Sequence, residues 1–337
     1  MSRVSFTVGG GPAIEAAMKI CVKNVPLSRD FVCLFDSYHG TTLGSMGASW
    51  ISTMSNGKYM GGSNFLSLTR AFVRIPNPNT YRNPFSVDAE TYTDMCLTMA
   101  REIFTRGIAG RPAGVIVEPV QASAGQLILP QRYLSGLRKL CDEFGTLLIF
   151  DEIQTYARIG KMFAADYFGV TPDIIVLGKG LGAGLPLAAI IISDKLKGFS
   201  PDTEELHTFG NPTLSMITAA KQIAMLEGGV LENCRAMGDY LGEGIKNMMK
   251  DFPEIGDVRQ AGLHIGVEFV KDPGTKEPLP SETVAIRDAG FKNGVIFGLG
   301  GALKNVLKVK PPLIVSKSEA DEILGKLELS IKSVLRK

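Results

Sequence analysis

Short apolar runs recur along the chain and alternate with stretches in which apolar residues step by three and four positions. The first kind suits strands buried on both faces, and the second places hydrophobic side chains along one face of a helix. The pattern predicts strands over 3–7, 31–35, 113–117, 147–150, 173–177 and 187–192. Between the third and fourth of these, Leu134, Leu137, Leu140, Cys141 and Phe144 recur at helical steps, which predicts a helix over 131–144 with one face on the sheet. Strand, helix and strand in that order make a crossover unit. The first part of the chain is therefore expected to be α/β, a mostly parallel sheet covered by helices.

Residues 53–92 break the rhythm: they are rich in Asn, Pro, Gly and Ser, hold no sustained period, and predict a long surface excursion. Past residue 230 the pattern predicts a long helix near 231–250, short strands near 256–270 and 306–309, and a closing helix from 317 to the end. This implies a large domain over 1–230 and a smaller α+β domain over 231–337, with no internal repeat or low-complexity tract.

Composition narrows the function classes. The chain has 337 residues, 45% of them hydrophobic, enough for a large core and two domains. Lys and Arg number 36 against 34 Asp and Glu, and no basic run could track a phosphate backbone, so nucleic acid is not an expected partner. The longest apolar stretch, residues 185–192, is interrupted by Pro186 and is too short to cross a bilayer, so no membrane is expected either. Cys21, Cys33, Cys96, Cys141 and Cys234 are odd in number and form no CxxC pair, while His39, His207 and His264 stand far apart. Neither a disulfide framework nor a metal site is indicated, and a reducing cytoplasm fits best. The N-terminus MSRVSFTVGGG has no signal-type apolar core and reads directly as a strand and a turn, as though the chain starts inside a domain.

The chemistry centres on DIIVLGKGLGAGLP, residues 173–186, where Lys179 sits between an apolar run and a string of glycines. A Walker loop is excluded because Leu181 follows GKG and the first glycine is missing; no GxGxxG spacing occurs either. A lone lysine at a strand end is most simply a surface residue. The alternative is a Schiff-base lysine at the carboxyl end of a sheet strand, where α/β proteins collect ligands. In that reading the glycines let the chain turn close to a bulky aromatic aldehyde, and the apolar strand holds the amine out of water, where it deprotonates more easily.

A pyridine cofactor also needs a carboxylate to keep its ring nitrogen protonated. Asp151 ends the run LLIF as Lys179 follows DIIVL, so adjacent parallel strands would bring both to one sheet edge. The competing role for Asp151 is a helix N-cap, but EIQTYARIG is a poor helix start. FTVGGGPAIEAAMKI, with Pro12 in its first turn, supplies a helix start whose free N–H groups suit an anion, although such a turn is often only a connection.

Together these residues resemble the class III aminotransferases of the fold type I, pyridoxal-phosphate-dependent group. The stretch from DEIQTYARIG to GLGAGLPLAAI is similar to that family's longest signature, and SYHGTTLGSM, VIVEPVQASAG and NVLKVKPPL match its other blocks in order, over nearly all of the chain. The resemblance implies the type I fold, pyridoxal 5′-phosphate as cofactor, and a homodimer with the active site at its interface. By the same resemblance Lys179 holds the cofactor and shuttles the proton, Asp151 pairs with the ring nitrogen, Tyr38 stacks on the ring and Gln154 lies near the ring hydroxyl. For Tyr38 alone, core packing is the simpler role. Glu118 matches a supporting carboxylate and Gly10 and Gly11 the phosphate turn; LHTFGNP matches the segment whose threonine reaches the neighbouring subunit's phosphate, where counting back from Gly210 puts His207 at that position and Thr208, the candidate, one residue later.

The departures are informative. Gly9, Gly10 and Gly11 stand where the family commonly has Ser-Gly-Thr, so side-chain hydroxyl contacts are lost and phosphate binding is expected to be weaker. Ser123 stands where many aminotransferases carry a glutamate, and Lys308 where an arginine grips the substrate carboxylate, a point charge in place of a planar fork. The family also carries a segment ahead of the FTVGGG strand that helps cover the active site. Its absence here marks the sequence as a fragment or a natural truncation. The implied activity is transfer of an amino group between an amine or amino acid and a keto acid through a Schiff base on Lys179. The alternatives are an amino-acid racemase or epimerase, a dialkylglycine-type decarboxylase, or an inactive cofactor-binding remnant.

Overall fold

In the computed structural model, which describes residues 1–55, 57–200 and 203–336, the apolar runs assemble into a seven-stranded sheet. Its strands are β1 (Arg3–Thr7), β2 (Phe31–Leu34), β3 (Val73–Ile75), β4 (Gly114–Val117), β5 (Leu147–Asp151), β6 (Ile174–Leu177) and β7 (Ala188–Ile192), in the spatial order β1-β7-β6-β5-β4-β2-β3. From β6 to β3 every pair is parallel, whereas β7 runs antiparallel to both β6 and β1. The sheet is thus mostly parallel, and the six strands expected from the apolar runs all lie in it.

β3 was not expected. It lies inside the 53–92 stretch and its three residues are too few to show a period; it exists because β2 offers a ladder, with Val32 opposite Val73 and Leu34 opposite Ile75. The rest of that stretch forms a small hairpin of Met54–Ser55 with Lys58–Tyr59 and a 3-10 segment, Gly61–Leu68. Asn56 within that excursion, and Lys337 at the end of the expected closing helix, lie outside the described residues.

α1 (Gly10–Asn24) starts directly after the glycine turn and packs Ala13, Ile14, Ala17 and Ile20 against Ile116, Ile149, Val176 and Ile190 of the sheet. Its small alanines let the helix lie close to the strands. α2 (Ala89–Glu102) was also not expected, because its buried face mixes Tyr92, Thr93, Cys96 and Ala100; the Asp88 side chain caps it by accepting from the Glu90 and Thr91 N–H groups. α3 (Gln131–Phe144) spans the residues its periodicity predicted and stops at Gly145, whose φ of +63° ends the helix in the left-handed region.

The chain separates into two compact units: Met1–Pro119, Leu129–Tyr156 and Phe163–Ala224 form one, and Val120–Ile128, Ala157–Met162 and Met225–Lys337 the other. Two short segments, 120–128 and 157–162, that precede the boundary drawn at 230 thus count with the C-terminal unit. That unit holds a four-stranded antiparallel sheet of β8 (Ile255–Ala261), β9 (His264–Phe269), β10 (Gly298–Gly300) and β11 (Val306–Val309), in the order β8-β9-β11-β10. The helices α4 (Leu231–Met248), α5 (Pro280–Lys292) and α6 (Lys317–Leu335) share a core with it, in which Leu241, Ile245, Phe269, Ile286, Leu307 and Leu327 are buried. A capping box between Ser316 and Glu319 starts α6.

Within this unit α4 meets the turn of the β8–β9 hairpin through bare backbone. A Cβ on Gly238 would lie 2.3 Å from the carbonyl carbon and oxygen of Gly262, which turns the hairpin at φ +52°. Gly238→Ala should therefore lower stability by about 1–3 kcal/mol, the usual cost of overpacking a rigid contact. Urea unfolding checks this, and an unchanged midpoint would mean that the helix shifts freely.

Candidate active site

The parallel strands end on one edge, and the residues that follow them build the site. Asp151 is the last residue of β5 and sits opposite Val176 of β6; Lys179 follows β6, Glu118 follows β4, and Tyr38 with His39 follows β2. Carboxyl ends of parallel strands collect ligands because the following loops splay apart there and leave room between them. Here the same edge opens on a cavity of about 300 Å³ lined by Gly10, Gly11, Tyr38, His39, Gly40, Thr41, Thr42, Glu118, Asp151, Ile153, Gln154 and Lys179. The structure thus brings together Gly10, Gly11, Tyr38, Glu118, Asp151, Gln154 and Lys179, all singled out in the sequence.

Lys179 is held in an unusual backbone state. Its φ is +44°, in the left-handed region, and it opens a 3-10 turn, Lys179–Gly182. A side chain there costs roughly 1–3 kcal/mol, a strain that persists only where the surroundings impose it. The surroundings do so: Gln222 donates to the Gly180 carbonyl at 2.7 Å and Thr218 to the Gly182 carbonyl at 3.3 Å. The expectation that the strand holds the amine out of water is not met. Lys179 as a whole residue is exposed, because β6 ends at Leu177 and the turn carries it past the sheet edge to the rim of the cavity it lines.

Asp151 is buried at 4% exposure. One carboxylate oxygen accepts the Ile153 N–H at 3.1 Å, and the other lies 2.7 Å from His39 Nδ1. No helix follows until Ala164–Phe168, so Asp151 is not an N-cap. His39 was set aside in the sequence as one of three scattered histidines, yet it is buried beside Asp151, with its own N–H donated to Ser49 Oγ at 2.9 Å. Its Nε2 is buried without a partner. The only sequence signal was its place between Tyr38 and Gly40; the partner lies more than a hundred residues away.

Two further acids are desolvated. Glu118 accepts the Tyr38 N–H at 2.8 Å, and burial, reinforced by the Asp151 charge and opposed by His39 and Lys179, pushes its carboxyl up to about 7. Glu152 accepts from the Ala164 N–H and, at 3.0 Å, from the Ala165 N–H, anchoring the start of that short helix; burial pushes it to about 7 as well.

The remaining candidates lie elsewhere. Thr208 is exposed and does not line this cavity. Ser123 and Lys308 belong to the C-terminal unit, where the Ser123 carbonyl accepts the Gly301 N–H at 3.0 Å. The Lys308 stem lies on bare strand backbone, 3.2 Å from where Cβ atoms of Gly298 and Gly300 would be, and burial lowers its amine below the usual lysine value. Among the described residues no group of three or more His, Cys, Asp or Glu is placed to hold a metal ion, and no helix is long and apolar enough to cross a membrane.

Known proteins are similar to this chain over nearly its whole length. The family described as Aminotransferase class-III matches residues 1–331. An alanine/serine racemase of Pyrococcus horikoshii is 31% identical over 99% of this chain and 70% of its own length. A taurine–pyruvate aminotransferase of Bilophila wadsworthia is 32% identical over 100% of this chain and 77% of its own. The crystal structure of an amine transaminase from an uncultivated Pseudomonas species, in its PLP-bound form, superposes with a TM-score of 0.87 at 28% identity, over 99% of this chain and 77% of that one. The α/β architecture with its smaller α+β part is therefore that of the type I transaminase fold.

The raised carboxyl of Glu118 has a consequence for stability. Its folded value of about 7 lies above the ordinary 4.5, so between these the folded chain binds more protons than the unfolded one and stability falls as pH rises through that window. Glu118→Gln should reduce that fall by up to ~3 kcal/mol, the other acids raised by burial, Glu152, Asp36 and Asp257, adding their own share. Urea unfolding at a series of pH values checks it; equal slopes in variant and wild type would show that Glu118 ionises freely.

Proposed function

Since the chain belongs to the class-III aminotransferase family, we propose that it is a pyridoxal-phosphate-dependent transaminase that moves an amino group between an amine or amino acid and a keto acid. The observation that carries this reading is the convergence of Lys179 and buried Asp151, from neighbouring parallel strands, on a cavity that also receives the glycine start of α1. The residues present fit the cofactor. A buried carboxylate suits a protonated ring nitrogen, a helix start suits a phosphate, and Cβ atoms on Gly10 and Gly11 would collide with Ile153 and Thr42.

Pyridoxal phosphate, when bound, supplies the electron sink that accepts the pair left as a bond at the substrate's α-carbon breaks. Lys179 Nζ would hold it covalently and, once displaced by substrate, carry a proton as general base and then general acid. Asp151 would keep the ring nitrogen charged, and His39 Nδ1, on its second oxygen, fixes the carboxylate's orientation. Tyr38 would cover a ring face, its backbone held by Glu118, and Gln154 would meet the ring hydroxyl. The Gly10 and Gly11 N–H groups would seat the phosphate, with Thr208 contributed by a second copy in a homodimer. Ser123 and Lys308 would receive the substrate's carboxylate end. The five free, buried cysteines support a reducing, cytoplasmic setting.

A second reading, amino-acid racemisation, is favoured by one observation: Lys308 presents a half-buried point charge with a lowered proton affinity. That is a weaker grip on a carboxylate than a guanidinium fork. A racemase uses the same lysine and aspartate but returns the proton to the opposite face.

Protein reconstituted with the cofactor should be yellow and lose its colour on borohydride reduction. Lys179→Ala should fail to show that reaction and lose roughly 10²–10⁴-fold in turnover. Amine-dependent release of a keto acid supports transamination, whereas loss of optical rotation without keto acid supports the racemase. Colour without any turnover across a panel of amines and amino acids would overturn both in favour of an inactive binding remnant.

A further inference from the structure

The glycine turn brings backbone N–H groups to the cavity and no side chain of its own; Gly9 caps α1 without a side-chain hydrogen bond, and no acidic residue occupies the first turn. The acidic residue of that helix, Glu15, is turned away, accepting the Gly44 N–H at 2.8 Å. The helix start is nevertheless closed over from outside. A Cβ on Gly11 would lie 2.8 Å from Thr42 Cγ2 and 3.0 Å from Thr42 Oγ1, and Gly40, at φ +119°, packs so near that its own Cβ would lie 3.1 Å from Gly11 Cα. The loop of residues 40–42 therefore rests on the first turn of α1, and the Thr42 side chain fills the volume a side chain at position 11 would need.

The hydroxyl brought there is oriented. Thr42 Oγ1 lies 2.9 Å from Oγ of buried Ser45. Either hydroxyl can donate in this pair, and Ser45 Oγ also lies 3.5 Å from the Thr42 carbonyl; in the arrangement where Ser45 donates to Oγ1, Thr42 keeps its own proton for a group in the cavity. The same cavity is lined by His39, 2% exposed, whose Nε2 has no partner, so the polar groups here point to an occupant.

Resting on the cofactor reading above, we propose that Thr42 donates a hydrogen bond to the cofactor's phosphate, a side-chain ligand delivered from the 40–42 loop to an anion site that the same chain otherwise builds from backbone. The hydroxyls missing from the glycine turn are thereby replaced from a different part of the chain. A Gly-Gly-Gly turn and Thr42 form one unit, since a side chain at Gly11 and the present Thr42 rotamer exclude each other.

The test compares pyridoxal phosphate with pyridoxal, which lacks the phosphate, in equilibrium binding to the cofactor-stripped protein, with inorganic phosphate as competitor. Thr42→Val should weaken pyridoxal phosphate binding about tenfold or more, the usual effect of losing a hydrogen bond to a charged group, while leaving pyridoxal binding unchanged. Thr42→Ser should restore it, Thr41→Val should not reproduce the loss, and inorganic phosphate should compete less well with the Thr42→Val protein. Equal binding of pyridoxal phosphate by Thr42→Val and wild type overturns the proposal. So does a parallel loss of both ligands, which would assign Thr42 a purely structural part. Wild type that binds neither ligand would instead defeat the cofactor reading itself.

Discussion

The parallel ladder between Leu147–Asp151 and Ile174–Leu177 is the constraint on which the site depends. It sets Asp151 opposite Val176, so the carboxylate and the turn carrying Lys179 leave the sheet on the same edge. Because side chains alternate across a strand, a slip of one residue would turn Asp151 to the other face of the sheet. The ladder is protected by burial: Leu148, Ile149, Phe150, Ile174 and Val176 are all fully enclosed. A core of this kind tolerates no alternative register, and the geometry of the charged groups is inherited from apolar packing.

Around that ladder the chain accepts local costs. Lys179 is a non-glycine residue in the left-handed region, and Gly40 occupies a backbone state that side chains rarely adopt. Glu118 and Glu152 are buried acids whose ionisation is opposed by desolvation. The strained lysine and the buried acids lower stability, and each touches the cavity or the elements that frame it. Asp151 is equally buried and, like both glutamates, accepts a backbone N–H; what sets it apart is the His39 ring at its second oxygen. Burial pushes Glu118 toward the neutral form, while Asp151 has the His39 ring at its second oxygen.

The glycine-turn end of the cavity follows a similar logic of division. Backbone groups at a helix start provide direction without bulk, and the absence of side chains at Gly10 and Gly11 lets Ile153 and the 40–42 loop close in. Polar contacts are then supplied from loops anchored elsewhere in the sheet. The same separation appears in the C-terminal unit, where bare glycine backbone on β10 supports the Lys308 stem and on α4 admits the hairpin turn.

Much of this was legible in the amino-acid sequence alone, because hydrophobic period is a local property. The apolar runs located six strands of the large sheet, the three-and-four spacing located the helix Gln131–Phe144, and the glycines flanking Lys179 marked the turn. Tertiary structure alone decided what depends on partners distant along the chain. Val73–Ile75 is a strand only because Phe31–Leu34 lies beside it, and His39 matters only because its ring meets Asp151. Thr42 reaches the glycine turn only because the chain folds the loop onto the helix, and Lys179 lines the cavity beyond the sheet edge because the strand stops short of it. Desolvation, ladder pairing and close packing are set by which surfaces meet in space, and no local pattern in the sequence encodes that meeting.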